Sequence, residues 1–175
     1  MHAMTDRHSR HLFESLLREH RGIVFKVASI YARGGEDRND LAQEIATQLW
    51  RSFGAYDAAR AKFSTWMYRV ALNVAISYAR RSAGNPQLEP FDACHLELPG
   101  EADVAQPDER LAALYAFIGQ LDALNRALIL LYLEERSYAE IAEVLGISET
   151  NVATKIGRIK QKLRGQMTAA ATTGA

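Results

Sequence analysis

Every proline in the chain falls within one stretch, at Pro86, Pro90, Pro99 and Pro107, and that stretch decides what the rest can be. Each proline fixes φ and removes a backbone donor, and Gly84-Asn85 in front adds a further break. On both sides the chain is proline-free, rich in alanine and leucine, and carries apolar residues at three- and four-residue spacing. The expected architecture is therefore all-α. Two small helical domains, over residues 8–82 and 108–166, should be joined by a linker over 83–107. As a flexible coil such a tether spans roughly 25–30 Å, and about 90 Å when drawn out.

Formal charge is zero over the whole chain but not over its parts. Residues 1–81 hold 13 Lys/Arg against 8 Asp/Glu, whereas 82–107 hold no base and five acids: Glu89, Asp92, Glu97, Glu101 and Asp103. Beyond them the signs balance, yet Lys155, Arg158, Lys160, Lys162 and Arg164 sit together without an acid. Two basic surfaces either side of an acidic tether suit a polyanionic partner better than the net charge suggests. The single cysteine, Cys94, excludes an internal disulfide and fits a reducing compartment. The longest apolar run, Ala127 to Leu133, is too short to cross a bilayer, and MHAMTDRHSR has no apolar signal core. A cytoplasmic protein without membrane insertion is expected.

Residues 8–32 read as one or two helices with Leu12, Leu16, Ile23, Val27 and Ile30 as apolar positions. Gly34-Gly35 should end that segment, and Glu36 to Asn39 should form a polar turn. A strong helix then starts at a capping Asn39 or Asp40 and runs to about Phe53. Leu41, Ala42, Ile45, Ala46, Leu49 and Phe53 form its inner arc, with Asp40, Gln43, Glu44, Thr47 and Arg51 outside. The loop GAYDAARA (54–61) leads into KFSTWMYRVALNVAISYARR (62–81). There Met67, Val70, Ala71, Val74 and Tyr78 make the stripe expected to be buried, with Ser64 and Thr65 available as caps. Arg69, Asn73, Ser77 and Arg80 lie on the opposite side. Guanidinium and amide groups without a carboxylate suit phosphates and base edges. Arg60, Lys62, Phe63 and Trp66 stand where that loop meets the helix, and an aromatic beside a basic row suits an unstacked base.

In the second half, Leu111, Leu114, Tyr115 and Ile118 form one apolar stripe, and Asn125 to Leu133 form an almost wholly apolar helix. Ser137 to Leu145 reads as a short helix with Ser137 and Glu140 as a capping box. Gly146-Ile147-Ser148 is a tight turn, and Ser148 caps a helix from Glu149 to Leu163 with Val152, Ile156, Ile159 and Leu163 inside. Helix, glycine turn, helix is a helix-turn-helix, whose second helix enters the major groove by its N-terminal residues. Those are Ser148, Glu149, Thr150, Asn151, Ala153 and Thr154, with Lys155, Arg158 and Lys162 placed for bases or phosphates.

With both halves placed, the sequence resembles the bacterial RNA polymerase sigma factors of the extracytoplasmic-function group. DLAQEIATQLW (40–50) and FSTWMYRVALNVAISYARR (63–81), followed by SYAEIAEVLGISETNV (137–152) and KIGRIKQKLR (155–164), carry the likeness. The resemblance implies sigma domain 2 over 8–82 and sigma domain 4 over 108–166. It assigns Asp40, Gln43, Glu44 and Thr47 to the clamp helices of the β′ subunit of core RNA polymerase, and names the β flap of the core as a further contact. Loop 54–62 would take a flipped base of the −10 element, with Arg60, Lys62, Phe63 and Trp66 around it. Arg69, Asn73, Ser77, Arg80 and Arg81 would hold the adjoining promoter DNA, and the helix-turn-helix would read the −35 element. An anti-sigma factor is a further partner implied by the resemblance. The acidic linker is similar to the segment that threads the polymerase cleft, where its charge fits either an RNA-like strand or a plain solvated tether.

Two other readings compete with this one. A stand-alone two-domain helix-turn-helix regulator would need a dimerisation helix and a ligand pocket, and neither stands out. An enzyme acting on DNA would need clustered carboxylates or a nucleophile with a base, and none is evident. His8 and His11 without further ligands do not make a metal site, and Cys94-His95 reads as inert. No catalytic residue, metal or cofactor is expected.

Overall fold

The computed structural model describes residues 2–83 and 109–173, and side chains from residue 6 onward. The linker acids, Cys94-His95 and the Gly84–Pro86 helix stop lie outside the described residues. The chain divides into two compact units, and in each every regular element described is helical.

The first unit contains α1 (His2–Glu19), α2 (Arg21–Tyr31), α3 (Gly35–Ser52), a 3-10 turn (Phe53–Ala55) and α4 (Phe63–Ser82). Helices α2, α3 and α4 pack on one another in all three pairings. Their shared core is Val27, Ala28, Leu41, Ile45, Leu49, Met67, Tyr68, Ala71, Leu72 and Ala75, all essentially inaccessible to water. Burying the Val, Leu, Ile and Met side chains among them contributes roughly 1.5–3 kcal/mol each. Among the described residues, α1 adds one buried side chain, Phe13.

The first unit departs from expectation at four points. Glu36 to Asn39 are not a turn, because α3 starts at Gly35 with Gly34 extended as its N-cap. The Arg38 amide donates to the Gly34 carbonyl at 2.9 Å, and Glu36 and Asp37 sit in the first turn, where the helix dipole favours acids. Neither Asn39 nor Asp40 is therefore a cap. Likewise α4 is preceded by Lys62 as N-cap without a side-chain cap bond, and Ser64 and Thr65 lie inside its first turn, Thr65 buried. The buried arc of α4 is also rotated from the expected stripe. Tyr68 and Leu72 face inward with Met67 and Ala71, whereas Val70, Val74 and Tyr78 are half-buried. The cause is that α4 packs against α2 and α3 at once, which widens its inner face beyond one stripe. Leu12 is solvent-exposed and its neighbour Phe13 takes the inward position. At the far end of α4, Asp37 and Ser82 lie close to the Tyr78 hydroxyl.

The second unit contains α5 (Glu109–Gln120), α6 (Ala123–Leu133), α7 (Tyr138–Leu145) and α8 (Glu149–Thr173). Ala127, Leu128 and Leu131 of α6, Ile141 of α7, and Val152 and Ile156 of α8 are wholly buried with Phe117 and Ile118 of α5. Leu111 is exposed, contrary to its place in the expected stripe. Asp122 caps α6, accepting from the Asn125 amide at 2.8 Å. Arg126 reaches back from α6 to donate to the carbonyls of Gly119 and Leu121, fixing the corner between α5 and α6.

Two tight turns set the angles of α7. After α6, Glu135 adopts φ 57, the Glu135 amide donates to the Tyr132 carbonyl and the Arg136 amide to the Leu131 carbonyl. After α7, Gly146 adopts φ 68, and the amides of Gly146 and Ile147 both donate to the Ala142 carbonyl. Both are left-handed helix terminations that satisfy end carbonyls. One uses the residue suited to it and the other does not.

Candidate nucleic-acid and polymerase interface

Four side chains on one face of α3, Asp40, Gln43, Glu44 and Thr47, are all exposed, as the expected docking face requires. On α4, Arg69, Asn73, Ser77, Arg80 and Arg81 are exposed as well. Arg69, Asn73 and Ser77 recur every four residues, so they rise by about 6 Å per step along the helix. The row offers donors at intervals and no acid of its own.

The two faces meet. Between α3 and α4 runs an open groove of about 370 Å³ with Val70 and Val74 on its floor and Glu44, Gln48, Asn73 and Ser77 on its walls. At its edge the Arg81 guanidinium donates to the Glu44 carboxylate at 3.0 Å. Both partners are about half exposed, so the pair is weak in energy, yet it joins a residue expected on polymerase to one expected on DNA.

The loop after α3 is more ordered than its composition implies. The Asp57 carboxylate accepts from the Ala59 amide at 2.9 Å, an Asx-type turn, and lies 3.5 Å from the Arg60 guanidinium. The Tyr56 hydroxyl donates to the Ala61 carbonyl at 3.3 Å, closing the loop on itself. Beneath it stands a cluster of rings. Tyr56, Phe63 and Trp66 lie mutually 5.2–5.4 Å apart, and Phe53 stands 6.1–6.4 Å from all three. Phe63 is buried, so its ring backs the cluster, while Tyr56 and Trp66 keep partial access to solvent. The sequence pattern places Phe63 and Trp66 here, but puts Phe53 on the inner arc of the preceding helix, whereas it opens the 3-10 turn, and does not single out Tyr56. Their signal was present, as two aromatics flanking Gly54-Ala55 in a loop otherwise made of small residues and the charged Asp57 and Arg60.

In the second unit the turn is built as expected. The Ser137 hydroxyl accepts from the Glu140 amide and the Ser148 hydroxyl from the Asn151 amide, each at 3.1 Å. The Glu140 carboxylate lies 4.0 Å from the Arg136 guanidinium instead of closing a capping box. Ser148, Glu149, Thr150, Asn151, Ala153, Thr154, Arg158 and Lys162 are exposed and Lys155 half-exposed, presented by a helix anchored through Val152, Ile156 and Ile159. Lys160 is separated from that set. Its ammonium sits 4.2 Å above the Tyr132 ring and ties α8 to α6.

A family model of sigma-70 region 2 matches residues 16–84, and one of sigma-70 region 4 matches residues 111–163. Named relatives fall in one group, including SigM of Mycobacterium tuberculosis H37Rv (26% identical; 88% of this chain, 76% of the relative). SigW of Bacillus subtilis is 28% identical over 75% of each chain. The chain belongs to the extracytoplasmic-function sigma factors. The stand-alone regulator is set aside with that result. Among solved structures, CnrH in complex with the cytosolic domain of CnrY has the same fold (TM-score 0.66, 24% identity, 91% of this chain and 90% of that one). So does RpoE with the anti-sigma factor NepR from Bartonella quintana (TM-score 0.66, 16% identity, 89% and 96%). The sigma factor described here is thus a subunit that gives RNA polymerase its promoter. Among the described residues no helix is long and apolar enough to cross a membrane, and no group of three metal-ligating side chains occurs.

Proposed function

We propose that this sigma factor docks on core RNA polymerase through Asp40, Gln43, Glu44 and Thr47, and opens promoters with the ring cluster and basic row of its first domain. The observation that carries this reading is the juxtaposition of a ring-lined loop with an acid-free row on α4, beside an exposed acid-and-amide face on α3. The Tyr56–Trp66 edge takes an unstacked −10 base, and stacking on it offsets a few kcal/mol of extrusion. Arg69, Asn73, Ser77, Arg80 and Arg81 hold the flanking backbone, and Arg60 and Lys62 supply charge at the loop. The second domain reads the −35 element with the residues from Ser148 to Thr154, and with Lys155, Arg158 and Lys162 on bases or phosphates. The domain limits are 8–82 and 108–166, with the acidic linker between them.

The work is done by binding alone. Melting is driven by contacts to the opened strand, so the protein is not an enzyme and acts in the cytoplasm. The solved complexes of CnrH and RpoE support a regulator of the anti-sigma kind as a partner here too. The test is reconstitution with core polymerase. The protein should co-elute with core, and R69Q/R80Q, which leaves the Arg81–Glu44 pair in place, should lower promoter opening while leaving core binding intact. Loss of core binding in that variant, or failure of the wild-type protein to co-elute, refutes the assignment.

A further inference from the structure

The ring cluster does not end at the loop. Phe13, from α1, inserts its ring 5.1 Å from Trp50 and 5.1 Å from Phe53, tilted by 58° and 60°. Phe53 in turn contacts Tyr56, Phe63 and Trp66. The chain of rings is therefore continuous from α1 to the edge assigned to the unstacked base. Phe13 is 5% exposed, yet the residues around it on α1, Leu12, Glu14 and Ser15, face solvent. Phe13 thus backs the cluster at Phe53, while the His20 ring, 5.4 Å from Phe63, backs it on the other side.

Phe53 opens the 3-10 turn that launches the loop. Beyond it, the bonds of the Asp57 turn and the Tyr56–Ala61 closure lie within the loop. Ring packing on Phe53 and Phe63 then places the loop against Trp66. A ring removed behind Phe53 leaves space that Phe53 can enter, carrying the turn with it.

We propose that Phe13 is a positioning residue for base capture. It fixes Phe53, and through Phe53 the loop and the Tyr56–Trp66 edge, without touching DNA or polymerase. The proposal rests on the reading that this edge takes the extruded base. A helix outside the DNA-contacting set then influences promoter opening through a single ring.

The experiment compares Phe13→Leu, which keeps apolar bulk, with Phe13→Tyr, which restores a ring, in holoenzyme on duplex promoter. Opening is followed by permanganate reactivity of −10 thymines. Phe13→Leu should open about tenfold more slowly, since displacements near 1 Å at a site cost factors of that order or more. Phe13→Tyr should stay within about twofold, and Leu12→Ala, exposed one position away, should match wild type. Core affinity should be unchanged in all three. In the free protein carrying Trp50→Phe, the remaining Trp66 emission and its quenching should shift with Phe13→Leu and return with Phe13→Tyr. Wild-type opening by Phe13→Leu, with Trp66→Ala impaired, overturns the proposal, as does unshifted Trp66 emission. Wild-type opening by Trp66→Ala instead overturns the base-capture reading itself, and the proposal falls with it.

Discussion

Glu135 and Gly146 hold the same left-handed conformation at opposite ends of α7, and only one of them is suited to it. For a residue with a Cβ that conformation costs roughly 1–2 kcal/mol, whereas glycine adopts it freely. A Cβ added at Gly146 would meet no heavy atom within 4 Å, so Gly146→Ala tests backbone strain with no clash added. Alanine also loses less entropy on folding, by about 0.4–1 kcal/mol, which offsets part of the strain. The net expectation is a destabilisation of about 1 kcal/mol. Glu135→Gly runs the same arithmetic backwards, because the Glu135 side chain is exposed, and should stabilise by up to about 1 kcal/mol. For a domain of this size that is a shift of about 4–8 °C in either direction. Both tryptophans, Trp50 and Trp66, lie in the first domain, so their emission reports that domain while far-UV dichroism reports both. Thermal unfolding should show the dichroism transition moving down in G146A and up in E135G, with the tryptophan transition unmoved. If both substitutions move it the same way by similar amounts, left-handed strain is not what governs these turns.

Replacing Glu44 by Gln removes the ion pair with Arg81, yet the exposure of both partners predicts a stability change below about 0.5 kcal/mol. Core affinity should nonetheless fall about fivefold, or about 1 kcal/mol, in a titration against core polymerase. Arg158→Gln should weaken binding of −35 duplex and lower the slope of log affinity against log salt by about 0.9, measured by fluorescence anisotropy. Burial, and then the Asp37 carboxylate, raise the Tyr78 pKa above its ordinary value. The neutral hydroxyl is therefore favoured in the folded state, and its contribution to stability is full below the unfolded pKa near 10 and lost as pH rises through the raised folded value. Tyr78→Phe should flatten the loss of first-domain stability between about pH 9 and 11, read from tryptophan emission in urea.

Local chemistry made the second domain legible. Ser137, Gly146 and Ser148 each perform in the structure the role that their type and spacing imply, because caps and left-handed turns depend on a few neighbouring atoms. The first domain was less open to that reading. Leu12 and Phe13 are adjacent and both apolar, and only the niche between Trp50 and Phe53 selects the second. The inward turn of Tyr68 and Leu72 on α4 has the same origin, since two partner helices define the buried arc. The start of α3 was misplaced because Gly34-Gly35 reads equally as the end of one helix and the beginning of the next. Of the site, the exposed rows on α3, α4 and α8 were legible as polar faces. The backing of the loop by Phe53 and Phe13 was not, for it depends on a contact across 40 residues of sequence, from Phe13 to Phe53.

The bond between Arg81 and Glu44 has a consequence for anyone who would retarget such a factor. Transplanting the outer surface of α4 from a relative leaves Glu44 behind, stranding its carboxylate opposite a side chain it was not matched to. Promoter preference and holoenzyme assembly are then inherited as one module. A chimera that respects this must carry its α3 along.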